Sequence, residues 1–247
     1  MDTAQADVPR RYLITGGTSG IGRACAAHLT AAGHRVWITG TRQESLSPAL
    51  EAGVAAGGSV AEARDASALT AAFAAAHDAF GGVDAAFLNA GIDGEAKPAQ
   101  DLDPEHFRRV LDVNVVGALI GAQAAREWLV RPGTLVINAS VNAVRPEPGF
   151  ADYNASKAAA EALAKSLALD WAGDGLSVMA VCPGYFRSRM TAGYMDDPAV
   201  GPELLAHIPM GRYGRPEEIG ALLEFLLSGR AAFMSGASIP IAGAANV

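Results

Sequence analysis

The sequence predicts a single α/β domain built on a parallel sheet with helices packed on its faces. Three observations predict it. Short apolar runs such as Arg11–Ile14 and Val83–Leu88 show no polar alternation, as expected of strands covered on both sides. Alanine-rich stretches of helical length separate these runs, and the first run enters a glycine-rich turn followed by a helix and a second strand. At 247 residues, half of them hydrophobic, the chain can bury one large core, and no linker divides it. Residues 1–10 are expected to be a tail, and 11–247 the domain.

The order of elements follows. Thr15–Gly22 (TGGTSGIG) continues the first strand, with Gly16, Gly20 and Gly22 leaving the backbone bare so that amides can approach a phosphate at the start of a helix. That helix runs from Gly22 to Ala32, and Val36–Thr39 is the next strand, completing a βαβ unit of the kind that binds dinucleotides. The second strand ends in Gly40, Thr41 and Arg42, with no acid before Glu44. A carboxylate there would bond a ribose diol, whereas a guanidinium attracts a 2′-phosphate, so NADP(H) is expected in preference to NAD(H).

Helices are expected over Glu44–Ala52 and Ser67–Phe80, with a weak strand over Val60–Ala63 between them. Asp65 either caps the helix that follows or accepts a bond from an adenine amino group. Val83–Leu88 runs into Asn89–Gly91, small residues at a strand's carboxyl end, where α/β folds place ligands. Pro104 starts a long helix capped by Asp103, and Asn114 falls on its apolar stripe, where a buried amide must either tie backbone groups together or hold water. A strand over Thr134–Ala139 ends at Ser140; the helix Ala151–Trp171 brings Tyr153 opposite it. Further strands are expected over Leu176–Val181 and Ala237–Ala242, and a helix over Pro216–Leu227. The intervening 185–214 segment, rich in Gly, Pro, Met and aromatics, reads as a lid over a pocket.

Tyr153 and Lys157 are four residues apart, one turn of one helix face. An ammonium beside a phenol favours the phenolate and lowers its pKa from about 10, which suits proton exchange with an alcohol or carbonyl oxygen.

The net charge of −7 argues against nucleic acid or an anionic membrane as partner. The first nine residues carry no apolar run of a secretion signal, and no stretch approaches the roughly 18 apolar residues of a membrane span. Cys25 and Cys182 read as buried free thiols of a reducing compartment, consistent with a cytoplasmic protein, and the five histidines show no metal-binding spacing.

In order and spacing these marks resemble the short-chain dehydrogenase/reductase family across essentially the whole chain. Thr15–Gly22 resembles its cofactor loop, Asn89–Gly91 its sheet-stabilising motif, and Asn114, Ser140, Tyr153 and Lys157 its catalytic tetrad. Pro183 and Gly184 with Ser188 resemble the segment at the nicotinamide end. The resemblance implies a Rossmann-type doubly wound parallel sheet of about seven strands and a homotetramer or dimer. It implies a secondary alcohol and ketone interconverted by hydride transfer with NAD(P). Tyr153 would be the acid/base, Lys157 would bond the nicotinamide ribose and lower the tyrosine pKa, Ser140 would stabilise the oxyanion, and Asn114 would hold a relay water. Cofactor contacts are expected at Gly16, Thr18, Ser19, Gly20, Ile21, Gly22, Thr41, Arg42, Asp65, Ala66, Asn89, Gly91, Tyr153, Lys157, Pro183, Gly184, Phe186 and Ser188. The substrate, a ketone or alcohol of medium size and partly apolar character such as a 3-oxoacyl chain or a carbocycle, is expected to meet Asn142, Phe150, Tyr185, Met190 and Tyr194. An NAD-linked dehydrogenase running toward oxidation and an epimerising or other non-redox enzyme are the alternatives, with a non-catalytic cofactor-bound regulator further off. Two departures stand out: Ile241–Ala244 replaces the family's usual Val-Asp-Gly-Gly, and Asn138–Ala139 precedes Ser140 where another serine is frequent.

Overall fold

A computed structural model describes residues 9–247. Of the expected tail, residues 1–8 lie outside the described residues. Seven strands form one parallel sheet in the order β3-β2-β1-β4-β5-β6-β7: β1 Arg11–Thr15, β2 Arg35–Gly40, β3 Gly57–Val60, β4 Val83–Leu88, β5 Leu129–Asn138, β6 Leu176–Pro183 and β7 Ser238–Ile241. The order reverses between β1 and β4, so a crevice opens beyond their carboxyl ends. Apart from Arg11, Thr15 and Asp84, the two strands at that reversal are apolar, because both faces are covered. One core holds Leu13, Phe73, Leu135 and Ile137, and the other holds Ile14, Ile38, Phe87 and Met179.

The helices are α1 Gly20–Ala31, α2 Gln43–Glu51, α3 Ala66–Phe80, α4 Pro104–Leu111, α5 Gly117–Trp128, α6 Ala151–Trp171, α7 Ala192–Asp196, α8 Val200–Ala206 and α9 Pro216–Leu227. Most boundaries fall within two residues of those expected. β3 is displaced toward the glycines that read as a turn. A Cβ on Gly57 would lie 2.4 Å from the Trp37 ring, and one on Gly58 would lie 2.7 Å from Leu46, so neighbouring side chains fill the space that residues in this strand leave. The long helix after Pro104 is interrupted: Asp112–Val116 makes a π-helical turn between α4 and α5, with Asn114 buried at its centre. Such turns occur frequently where a helix meets a functional site. The 185–214 segment carries α7 and α8 and is closed at its base by a bridge between Phe186 and Gly214.

Candidate active site

The crevice has a volume of about 630 Å3 and is lined from both halves of the sheet. At its floor lies the glycine turn. Gly16 and Gly20 have φ of +65° and +54°, and a Cβ on Gly16 would meet the Ala90 backbone at 3.0 Å. The Ser19 side chain does not cap the first turn of α1, and no other side chain among the described residues does, so its amides remain available to an anion. Thr18, Ser19, Gly20 and Ile21 line the crevice beside them, and Ser188 packs on the turn, 3.1 Å from where a Gly20 Cβ would be. These bare amides and close approaches fit the pyrophosphate of a dinucleotide.

Gly22 does different work from that expected. It does not line the crevice; a Cβ there would lie 2.4 Å from Asn89 Nδ2, so its role is to admit Asn89. Asn89 Nδ2 donates to the carbonyls of Thr15 and Gly16 at 3.1 Å each, and Asn138 Nδ2 donates to Asn89 Oδ1 at 3.0 Å. The Asn138 carbonyl in turn accepts from Lys157 Nζ at 2.8 Å. One chain of hydrogen bonds thus runs from the glycine turn across β1, β4 and β5 to the lysine of α6. Asn138, read from sequence only as the replacement of a serine, is the link in its middle.

Ser140, Tyr153 and Lys157 line the same wall, at the carboxyl end of β5 and the first two turns of α6. The Lys157 ammonium lies 5.5 Å from the centroid of the Tyr153 ring. Burial lowers the pKa of Lys157 to about 8, with Cys182 and Asp93 drawing it the other way. The phenol of Tyr153 is displaced upward, first by burial and then by the charge of Asp93, with hydrogen bonding toward Ser140 opposing and Glu147 adding to the rise. The expectation that Lys157 pulls the phenol below its ordinary pKa is therefore not met in this arrangement. Loss of water outweighs the one opposing contribution, the hydrogen bonding toward Ser140, and the charge of Lys157 is not among the causes. The Ser140 hydroxyl accepts from Asn142 N at 3.1 Å and lies 3.3 Å from Asn142 Oδ1.

Asn114 stands behind the wall rather than in it. Its Oδ1 accepts from Ile92 N at 2.8 Å, while Nδ2 donates to Ile92 O and to Ser156 Oγ at 3.0 Å each. Of the two alternatives left by the sequence, its side chain takes the first, tying backbone groups together.

Several other expected contacts are corrected. Asp65 and Ala66 do not line the crevice: the Asp65 carboxylate accepts from Ala68 N at 2.9 Å and caps α3, leaving Glu62, Ala63 and Arg64 to line that end. Thr41 lines it, whereas Arg42, exposed at the residue preceding α2, does not. Of the expected substrate residues only Met190 lines the crevice. Asn142 is turned to Asn154, its Nδ2 donating at 2.9 Å, and Tyr185 faces a separate small cleft with Ile208 and Met210. Phe150 and Tyr194 meet edge to face, 6.1 Å between centroids, and stand behind Asp93.

Sequence reading also missed Asp152. It is fully buried in the first turn of α6, where Oδ1 accepts from Tyr153 N at 2.8 Å and Oδ2 from Glu95 N at 2.9 Å, tying the loop after β4 to the residue beside it. An acid in a helix's first turn is a readable signal, because it answers the unpaired amides and the helix dipole.

The family model described as enoyl-(acyl carrier protein) reductase matches residues 16–244. A 3β-hydroxysteroid dehydrogenase of Eggerthella lenta is 35% identical over 243 residues, covering 95% of this chain and 92% of that protein. The chain belongs to the short-chain dehydrogenase/reductase family. A short-chain dehydrogenase of Burkholderia cenocepacia, solved in complex with NADP, superposes with a TM-score of 0.85 at 31% identity, over 96% of this chain and 98% of the other. A 3-ketoacyl-(acyl-carrier-protein) reductase of Brucella melitensis, solved with NADH, gives 0.86 at 26% identity over 96% and 98%. As a member of this family, the protein is an oxidoreductase that interconverts a secondary alcohol and a ketone with a nicotinamide dinucleotide.

Proposed function

We propose that the protein is an NADP(H)-preferring ketoreductase in which Tyr153 exchanges the proton and Ser140 holds the reacting oxygen. The observation that carries this reading is that Ser140, Tyr153 and Lys157 share one wall of the crevice whose floor is the glycine turn. Gly16, Thr18, Ser19, Gly20 and Ile21 would hold the pyrophosphate, Thr41 and Arg64 the adenosine end, and Asn89, Gly91, Lys157, Pro183, Gly184, Phe186 and Ser188 the nicotinamide half. When bound, the nicotinamide supplies or accepts the hydride, and the chain supplies position and a proton.

In the reducing direction the neutral Tyr153 hydroxyl donates its proton to the carbonyl oxygen; a phenol raised by burial is protonated at neutral pH and suited to that role. Ser140, oriented by the Asn142 amide, donates a second hydrogen bond to the same oxygen as its charge develops. Lys157 spends one donor on Asn138 and would give another to the ribose of a bound cofactor. Asn114 fixes the Gly91–Ile92 backbone behind them. Residues 185–214 form a lid, and Met190 offers the substrate an apolar contact.

The preference for NADP(H) is supported by the acid-free end of β2 and by Arg64 at the same end of the crevice. NAD-linked oxidation is the second reading, favoured by Glu62, a carboxylate beside Arg64 that can bond a ribose diol. We place the enzyme in the cytoplasm as a homotetramer or dimer; no helix of the described residues is long and apolar enough to cross a membrane. The test is a panel of ketones and alcohols read by cofactor absorbance, together with separate titrations of NADPH and NADH. Binding of NADH about tenfold tighter than NADPH would reverse the cofactor assignment, and no turnover of any pair would remove the ketoreductase reading.

A further inference from the structure

The substrate half of the crevice contains a carboxylate that the proton exchange does not use. Asp93 lines the crevice together with Tyr153, Lys157 and Met190. Its Oδ1 accepts from Gly94 N at 2.9 Å, and no Lys, Arg or His among the described residues forms an ion pair with it. The Tyr194 hydroxyl approaches the same carboxylate without closing a well-formed hydrogen bond, and the Phe150 ring meets the Tyr194 ring edge to face at 6.1 Å. Asp93 is placed firmly. The next residues, Gly94 and Glu95, are pinned to α6: a Gly94 Cβ would fall 2.4 Å from Asp152 Oδ1, and Glu95 N donates to Asp152 Oδ2.

A partly desolvated carboxylate with one backbone donor and no ion pair, Lys157 acting on it only from a distance, keeps acceptor lone pairs that need a donor. Burial raises its pKa, with Asp152 adding to the rise and Gly94, Tyr194 and Lys157 opposing it. An apolar group at this point would leave the acceptor unmet. A hydroxyl on the substrate would meet it, and the Tyr194 hydroxyl can serve that same group as donor or acceptor.

We propose that Asp93, assisted by Tyr194, is a specificity-determining residue that binds a hydroxyl on the carbon next to the reacting one, so that the substrates are vicinal diols and the matching hydroxy ketones. This rests on the oxidoreductase reading above and adds to it the class of substrate; the hydride and proton go where that reading sends them. Sites built to hydrogen-bond a substrate hydroxyl discriminate strongly against analogues lacking it, because their own polar groups are then stranded.

Oxidation of trans-cyclohexane-1,2-diol and of cyclohexanol, each with saturating NADP+ and with NAD+, tests the proposal through the ratio of the two kcat/KM values. The wild-type ratio is expected to favour the diol by at least about tenfold, to collapse to about one in Asp93→Ala, and to fall by a smaller factor in Tyr194→Phe. Thermal melts establish that each variant is folded, and Asp93→Asn supplies a near-isosteric replacement if the alanine variant is not. A wild-type ratio near one, or a diol preference that survives in Asp93→Ala and Asp93→Asn, overturns the proposal while leaving the ketoreductase reading intact. A tenfold preference for trans-2-aminocyclohexanol over the diol overturns it in favour of a cation site. Absence of cofactor reduction with every alcohol and either cofactor would sink the oxidoreductase reading, and this inference with it.

Discussion

The wall that carries Tyr153 and Lys157 is tied by hydrogen bonds between elements far apart in the chain, whereas residues 185–214 on the other side are tied mostly to their own neighbours. Asn89 joins β1 to β4, Asn138 joins β5 to Asn89, Lys157 joins α6 to β5, and Asn114 joins the π-turn to α6. In the covering segment Thr191 Oγ1 donates to Phe186 O at 2.7 Å, Ser188 N donates to Thr191 Oγ1 at 2.9 Å, and Arg187 Nη1 pairs with Asp196 at 2.9 Å in the open. Its ties to the body are fewer, among them Met210 N to Gly243 O near the carboxyl terminus and Arg212 Nη2 to Glu218 Oε1 at the start of α9. The difference separates two tasks. Groups that must meet a reacting atom are preorganised by partners that cannot move independently, while a segment over a pocket can open by breaking local bonds.

The largest expected effect is on the chemistry of the first wall. Tyr153→Phe keeps the ring and removes the proton, and kcat is expected to fall by about 10²–10⁴-fold, the usual worth of a positioned acid or base. Cofactor affinity, read by fluorescence titration, should change little. A rate equal to wild type would take the phenol out of the mechanism and would make this wall no more special than its opposite.

Stability separates the two sides next. Asn89→Ala strands the carbonyls of Thr15 and Gly16 and the Asn138 amide, and is expected to cost about 1–3 kcal/mol in urea unfolding. Arg187→Ala removes an exposed pair and is expected to cost no more than about 1 kcal/mol. Equal losses would erase the distinction between a wall tied across the chain and one tied locally.

The same contrast explains what the sequence disclosed. The catalytic wall was legible because its chemistry demands particular residue types at fixed spacing: Tyr153 and Lys157 share a helix face whatever surrounds them, and Gly16 and Gly20 need a backbone that other residues resist. The sheet was legible because both its faces are buried. The substrate side was not. Tyr185, Asn142 and Phe150 carry pocket-like side chains, yet which way each turns is decided by partners such as Asn154 and Ile208, remote in sequence or reached only through the fold. Asp65 was open to two readings, a helix cap or an adenine contact, and its carboxylate caps α3. The phenol pKa misled because spacing reports a neighbouring charge and is silent on how much water the pair has lost.

The smallest effect comes from that lost water, and it tests whether the catalytic wall holds a desolvated ammonium. With the Lys157 pKa at about 8 in the folded protein against an ordinary 10.5, the folded state binds fewer protons at this site than the unfolded chain between those values. Stability rises with pH wherever the unfolded state holds more protons, so the contribution of Lys157 is least favourable below about 8 and improves as pH climbs through that window. Cys25 and Cys182, pushed up to about 12 and about 11 from 9.0, work in the opposite sense above 9.0, as does the raised phenol of Tyr153 above 10.0. The quantity to follow is therefore the difference in melting temperature between wild type and Lys157→Met, in which the Cys25 contribution cancels and that of Cys182 changes only through its coupling to Lys157. That difference should move in favour of wild type from pH 8 to pH 9.5 and stay level from pH 6.5 to pH 7.5. A level difference across the whole range would mean that the ammonium keeps its water, and that its reach toward Asn138 leaves it no drier than a lysine on the outer face of the same helix.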